Sequence, residues 1–417
     1  MTSASPPPPT AAAAPPTRTT GLIVVLGALT AIAPLTTDMY IPALPSMGEA
    51  LDAGSSSIQL TLTSFLAGLI LGQVVAGPVS DGLGRRGLLI GGMIGFAVTS
   101  LLCAVAPDAE TLIAVRFLQG ATGAVGMVLA RAIITDRFHG RDIPRYFAIL
   151  SQILGVAPVV APVIGGGILA VSTWRAVFFA LTLVGVLLLV SVLLKVPETL
   201  PPERRRKDGL GGTFRAMGRL AADRAFLGYS LVMACASACL FAYISGSSFV
   251  FQNLHGTSST VYSLIFASNA VGMLVAGALF GRLSSRRPVN LLLTAATVLS
   301  LLGAAAQAAI TAAAGETLAG TWITLFLAVG GIGMLFPAAM TLGQTLGRAA
   351  PGAASALMGG LQFLFGALVS PLVGLFGESS SLPMALIMLA SMLLAALALL
   401  TLARPWLRQG EVTAGGH

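Results

Sequence analysis

Charge is what this chain of 417 residues is short of: Asp, Glu, Lys and Arg together supply 9% of it, against about 25% in an ordinary soluble domain. That shortage excludes a conventional water-facing surface. Cysteine and histidine are equally scarce, with three of each. Cys103, Cys235 and Cys239 all fall in apolar runs, and an odd number there gives no disulfide framework. Cys235 and Cys239 are four apart on one helix face but lack further metal ligands, so they read as small packing residues. His139, His255 and His417 lie in loops or at the end of the chain. No Gly-x-Ser-x-Gly precedes a helix and no phosphate loop occurs, so an enzyme constellation and an ATP site are both missing, and no cofactor or metal is called for.

What is present is apolar. Hydrophobic residues make up 56% of the chain and the mean hydropathy is +0.91, far more apolar surface than a soluble core could bury. Runs of about 20 residues recur, each long enough to cross roughly 30 Å of hydrocarbon as a helix, without the alternation of a barrel strand. Twelve spans are expected: Gly21–Leu44, Ile58–Val79, Leu88–Ala106, Thr111–Ile133, Tyr146–Ala170, Ala176–Val196, Phe226–Val250, Thr260–Gly281, Val289–Ile310, Leu318–Thr341, Gly352–Phe376 and Pro383–Ala403. The fold class is therefore an all-α membrane protein.

Residues 1–20 are rich in Pro, Ala, Ser and Thr, have little packable bulk, and read as a disordered tail. A cleaved signal peptide fits poorly, because Arg18 is the sole basic residue ahead of an overlong apolar segment. The longest polar segment follows the sixth span and divides the chain into residues 21–196, a linker 197–225, residues 226–403 and a tail 404–417. Each half of six spans carries a matching landmark: Gly77 to Arg86 closes the second span and Gly277 to Arg286 the eighth. Equivalent halves suit a transporter that rocks one against the other around a site near the midplane.

The basic residues give the orientation. Even connections hold Arg85 and Arg86, then Arg137, Arg141 and Arg145, then Arg204 to Lys207, then Arg282, Arg286 and Arg287, then Arg348. Odd connections hold Arg175 against Glu49, Asp52, Asp108, Glu110, Glu316 and Glu378. By the positive-inside rule both termini are cytoplasmic. The net charge of +8 is thus a topology signal for a lipid bilayer and not a sign of nucleic acid.

Asp38 is the one carboxylate well inside a span, and an ionisable group in hydrocarbon is a functional statement by default. Its expected role is to carry a proton. Arg116 in span four stays protonated at any working pH, so it can only set a neighbour's affinity for protons. Asp38 and Arg116 both fall on the order of 8–9 Å below the outer boundary at 1.5 Å per residue, which puts them in one layer. The bland alternative for Arg116 is snorkelling to the interface.

These segments resemble the major facilitator superfamily. Gly77-Pro78-Val79-Ser80-Asp81-Gly82-Leu83-Gly84-Arg85-Arg86 looks like its signature between helices two and three, with Gly82 where a basic residue is usual. The resemblance implies that Gly77, Asp81, Gly84, Arg85 and Arg86 form a conformational latch. Leu112 to Gly123 resembles the motif whose arginine is tied to proton movement. In span five, Gly155, Pro158, Pro162, Gly165 and Gly166 look like the antiporter motif of exporters, with Ala157 and Ala161 in place of its first two glycines. Prolines there would bend the helix and glycines would open a packing groove. Thr37 to Pro45, with Trp174-Arg175, is similar to the twelve-helix drug:proton antiporters of the Bcr/CflA group, named for bicyclomycin resistance.

Tyr40, Gln119, Gln152, Tyr243, Asn269 and Gln362 are candidate substrate-binding groups in an otherwise apolar pocket, although each could equally make an interhelical hydrogen bond. The expectation is a monomeric, multi-pass protein of the inner cell membrane that exports small amphipathic drugs, such as bicyclomycin- or chloramphenicol-type compounds, in exchange for protons. An uptake symporter or facilitator for a small metabolite is the first alternative, and a non-transporting sensor or scaffold is the second.

Overall fold

The computed structural model describes residues 16–138, 142–201, 203, 211–313, 317–348, 351–375 and 380–411. Side chains at a few positions within these segments, including Asp81 and Gln152, and the surroundings of Gly155, are outside the described residues. Every described element is helical. In order they are α1 (Pro16–Thr30), α2 (Ile32–Asp38), α3 (Leu44–Ala50), α4 (Ser55–Leu83), α5 (Arg85–Ala104), α6 (Ala109–Arg137), α7 (Asp142–Val171) and α8 (Trp174–Lys195). Then come α9 (Gly211–Ala222), α10 (Arg224–Phe249), α11 (Ser259–Leu283), α12 (Val289–Ala313), α13 (Leu318–Leu346), α14 (Pro351–Leu375) and α15 (Leu382–Ala398).

Among the described residues ten helices are long and apolar enough to cross a membrane, and the bent pair α1–α2 makes an eleventh. The apolar stretch Val156–Val171 of α7 takes the position of the fifth expected span. Eleven of the twelve expected spans match single helices to within a few residues. Span one does not: the chain bends by 40° between Thr30 and Ile32, stops being α-helical after Asp38, makes a 3₁₀ turn at Ile41–Ala43 and resumes in α3. Thr30, Pro34 and Pro42 account for this, since a threonine hydroxyl bonded back to Gly27 competes with the helix and prolines remove donors. The linker contains α9, and α1 begins at Pro16, inside the stretch expected to be a disordered tail.

Polar residues start several helices. Asp108 accepts from the Thr111 N–H at 2.7 Å, Asp223 from Phe226 at 2.8 Å, and Ser258 from Val261 at 3.2 Å, satisfying N–H groups that would otherwise lack partners. One apolar core, containing Met39, Tyr40, Phe65, Phe178, Tyr243, Phe251 and Phe266, runs through both six-helix halves. A second, built on Leu26, Leu29, Met93 and Phe96, belongs to the first half alone.

Small residues let backbones touch. A Cβ added at Gly68 would collide with the Phe117 carbonyl of α6, and one at Gly120 with the Phe65 carbonyl of α4. Lipid offers little hydrophobic drive between helices, so such contact is what fastens α4 to α6. Gly120→Leu should therefore destabilise the detergent-solubilised protein by about 1–3 kcal/mol or prevent its accumulation. Gly91→Ala, where an added Cβ meets nothing within 4 Å, should leave the melting temperature unchanged or slightly raised. Melting curves by fluorescence-detected size exclusion check both.

Candidate functional site

Asp38 ends α2 and is 4% exposed. Its carboxylate accepts from the Thr37 hydroxyl at 3.0 Å. Arg116, from α6, is completely buried, so it does not snorkel. Its guanidinium lies over the rings of Tyr40 (4.3 Å) and Phe65 (4.4 Å), with Phe178 at 5.8 Å. Nη1 donates to Gln119 Oε1 at 2.7 Å and to the Thr36 carbonyl at 3.4 Å, while Nε and Nη2 have no hydrogen-bond partner. Asp38 and Arg116 thus share a neighbourhood two residues apart along α2, yet no ion pair joins them among the described residues. That Nε–Nη2 edge is the fork an arginine offers a carboxylate.

Gln119 is held in turn. Its Nε2 donates to Ser100 Oγ at 2.8 Å, and Cys103 Sγ lies 3.7 Å from its Oε1. Tyr40 pairs its hydroxyl with Thr61 at 3.3 Å. Asn269 Nδ2 donates to Tyr243 OH at 3.0 Å. Tyr40, Gln119, Tyr243 and Asn269 are all buried and present no surface to a ligand in this conformation. Gln362 is half-buried on α14, and the side chain of Gln152 is outside the described residues.

Side-chain hydrogen bonds between the two halves are found at the Asp38 end. Gln252 Nε2 donates to the Pro42 carbonyl at 3.0 Å, and Gln59 Nε2 to the Ser245 carbonyl at 3.3 Å. Glycines of the span-five motif lie there too. A Cβ at Gly165 would strike the Met39 carbonyl, and one at Gly166 the Ser263 side chain of α11. Pro158 and Pro162 sit inside α7, which is helical from Asp142 to Val171 across both of them. Trp174 and Arg175 are stacked at 4.2 Å, and Arg175 Nη2 donates to the Ala106 carbonyl at 2.9 Å.

The opposite end carries the arginines. Gly84, with φ of 102°, joins α4 to α5 in a backbone conformation that favours glycine. Gly77 makes no close approach here, since a Cβ would meet nothing within 4 Å. Arg85 Nε pairs with Asp136 at 2.9 Å, and its Nη1 bonds Ser80 Oγ. Arg86 Nη2 donates to the Leu193 carbonyl at 3.0 Å. The side chain of Asp81 is outside the described residues, whereas Asp136 and Glu198, which the sequence reading passed over, do the anchoring.

Glu198 accepts the first two N–H groups of α5, from Arg85 at 3.0 Å and Arg86 at 3.2 Å. The one sequence signal was its place in Pro197-Glu198-Thr199, directly after the sixth span. The last helix has a counterpart. Glu411 accepts from Asn290 N at 3.0 Å near the start of α12, and Tyr229 OH, placed 2.7 Å from Asn290 Oδ1, is also within 2.8 Å of the Gln409 carbonyl.

A model of the Major Facilitator Superfamily matches residues 26–371. The chain belongs to that superfamily. It is 39% identical over 379 residues to an uncharacterized MFS-type transporter of Bacillus subtilis, YdgK, covering 90% of this chain and 94% of the relative. It is 29% identical over 391 residues to a bicyclomycin resistance protein homolog of Haemophilus influenzae, covering 90% and 94%. A bacterial homolog of the human lysosomal transporter Spinster, solved inward-facing and unoccupied, matches with a TM-score of 0.74 at 16% identity, covering 97% of this chain and 100% of the other. The chain is a multi-pass membrane transporter of small molecules and not an enzyme, and its relatives accord with the Bcr/CflA resemblance.

Burial on its own would push the Glu198 carboxyl up, but N–H groups of Leu200, Arg85, Arg86 and Thr199 outweigh it and hold the group below its ordinary value. A depressed folded value means that its stabilisation is present above the unfolded value and is lost as pH falls through the folded one. Glu198→Gln should therefore lower the melting temperature at neutral pH and flatten its fall below about pH 4.5 relative to the unmutated protein. Melting curves from neutral pH to pH 3 check this.

Proposed function

We propose that this transporter is a proton-coupled exporter of small amphipathic compounds, an antiporter in the inner cell membrane with both termini cytoplasmic, acting as a monomer. The observation that carries the reading is the position of Asp38: a nearly enclosed carboxylate at a helix interruption, with Arg116 of its own half bonded two residues before it and the turn Ile41–Ala43 just after it packed on α10 and α11 of the other half. Such a group can change its proton only when one end of the bundle opens to water. On the positive-inside orientation, the contacts at the Asp38 end close the outer side.

Export rather than uptake is supported by the span-five motif and by relatives named for resistance, among them a chloramphenicol resistance protein of Pseudomonas aeruginosa, 31% identical over 261 residues. In the proposed cycle Asp38 takes a proton from outside, the outer side closes, and the proton leaves inside as substrate enters. Each inward proton supplies about 2.3 kcal/mol per 100 mV. Arg85, Asp136 and Glu198 would hold the inner ends of α4, α5 and α6 as one block while the halves rock, with residues 21–196 and 226–403 as the moving units.

Asp38→Asn should abolish uphill export in inverted vesicles while leaving insertion intact. Undiminished gradient-driven accumulation by that variant would sink the assignment. Gly165→Leu should cut flux at least about tenfold with substrate binding largely retained, because close packing of α7 on the Asp38 turn is needed to close the outer side. Flux and binding are measured on the same purified protein, using chloramphenicol and bicyclomycin as probes. Loss of binding with flux retained would move that segment into the substrate pocket instead.

A further inference from the structure

Leu386, Leu393, Leu397 and Leu400 are all exposed and recur at spacings of seven, four and three, so they continue as one stripe along α15 and the single π-helical turn Leu399–Ala403 after it. Beyond the stripe a 3₁₀ turn, Pro405–Leu407, presents Trp406 at 61% exposure and Leu407 at 51%. Arginines bracket that turn. Arg404 and Arg408 are exposed, and so are Arg286 and Arg287, just ahead of α12, on which the turn packs.

The turn is held in place at a cost. Arg404 and Arg408 have φ of 49° and 50°, in the left-handed region that side chains other than glycine rarely adopt. Contacts farther along the chain enforce it. The Gln409 carbonyl accepts from Tyr229 OH at 2.8 Å and from Asn290 Nδ2 at 3.3 Å, Glu411 accepts from Asn290 N at 3.0 Å, and a Cβ at Gly410 would collide with the Leu342 carbonyl. Three helices of the second half, α10, α12 and α13, thus fix a segment whose apolar side chains they leave uncovered. Backbone strain that the surroundings enforce points to a use for the conformation.

Charge says what covers it. Glu411, the one carboxylate in residues 404–411, is bonded to Asn290 N and Nδ2. Among the described residues none of the four arginines has an ion-pair partner, and Arg404 commits only its Nε, to the Thr401 carbonyl at 3.1 Å. An indole beside guanidiniums, at the end of a lipid-facing stripe, suits the membrane interface, where such rings lie at the level of the headgroups. A soluble partner cannot follow the leucine stripe into the bilayer.

We propose that the turn 404–408 binds an anionic phospholipid of the inner leaflet, with Trp406 and Leu407 entering the boundary between headgroups and acyl chains. Arg404 and Arg408, backed by Arg286 and Arg287, hold its phosphate. The inference rests on the reading that this end is cytoplasmic. Lipid bound there fastens the inner end of the second half, through α12, to the membrane surface.

Quenching of Trp406 by brominated lipid tests this. The full chain is reconstituted in bilayers mixing phosphatidylglycerol with phosphatidylcholine, one of them brominated at a time. The Trp406 signal is the difference between the parent and Trp406→Phe, which removes the contributions of Trp174 and Trp322. Quenching per brominated lipid should be about fivefold greater for phosphatidylglycerol, since one arginine near an anionic surface is worth about that factor. Bromines near the headgroup should quench more than bromines near the chain ends. Arg404→Gln combined with Arg408→Gln should bring the ratio of the two lipids to about one. Arg408→Gln alone, which breaks no described hydrogen bond, should lower it by at least about half and serves if the double variant fails to fold.

The proposal is overturned if the two lipids quench Trp406 equally, if neither reaches it, or if the folded arginine variants keep the ratio of the parent protein. It is overturned too if inorganic phosphate, compared with chloride at the same ionic strength, removes the preference, because the arginines would then be a site for free phosphate. Gln409→Cys should react with a membrane-impermeant thiol reagent in inverted but not right-side-out vesicles, the native cysteines being buried. Labelling in right-side-out vesicles would refute the cytoplasmic reading and the inner-leaflet assignment together, whereas a lost lipid preference with the expected labelling refutes the lipid site alone.

Discussion

A membrane-spanning helix that stops being a helix must find partners for the backbone groups it releases, because hydrocarbon offers none. In this chain the interruption falls at Asp38, and one residue from each half receives a carbonyl from it. Arg116 takes the carbonyl of Thr36, and Gln252 takes that of Pro42. Burial of the carboxylate, closure of the halves at that end and the rigid setting of Arg116 between Tyr40 and Phe65 are one arrangement. If the interruption were exposed to lipid, its free polar groups would cost several kcal/mol each.

Much of the architecture was legible beforehand because hydrophobic length and loop charge are local signals. Span boundaries, the scarcity of charge and the isolation of Asp38 could all be read along the chain. The break in span one was marked by Pro34 and Pro42, but apolar length hid it, since a window average passes over a turn that stays apolar. Asp136 and Glu198 were out of reach for a different reason. Their roles depend on which helices become neighbours, and Glu198 lies well over a hundred residues by sequence from the N–H groups it caps. The burial of Tyr40, Gln119, Tyr243 and Asn269 teaches the same point: an uncharged polar residue in a span looks alike whether it meets a ligand or another helix.

The seal at the Asp38 end consists mostly of backbone and small side chains. Gly165 lies on the Met39 carbonyl and Gly166 on Ser263, while Gly374 of α14 meets Ser56 and Gln59 of α4. Surfaces of this kind are close-fitting and carry few charges, so they can part without stripping ions from one another. Two halves held by shape can exchange one packed face for another at small cost, whereas a bundle sealed by buried ion pairs would resist.

Both halves end in the same device, a glutamate after the last helix that caps the start of the third. The devices differ in what surrounds them. Glu198 works beside the Arg85–Asp136 pair, whose side chains are 10% and 19% exposed, while Glu411 works with the neutral Asn290 and Tyr229. Ions in the surrounding water screen a partly exposed charge pair and leave neutral hydrogen bonds largely untouched. The first half is consequently the one that ionic strength can loosen at its arginine-bearing end, and rising salt acts on the two halves unequally although their helices are laid out alike.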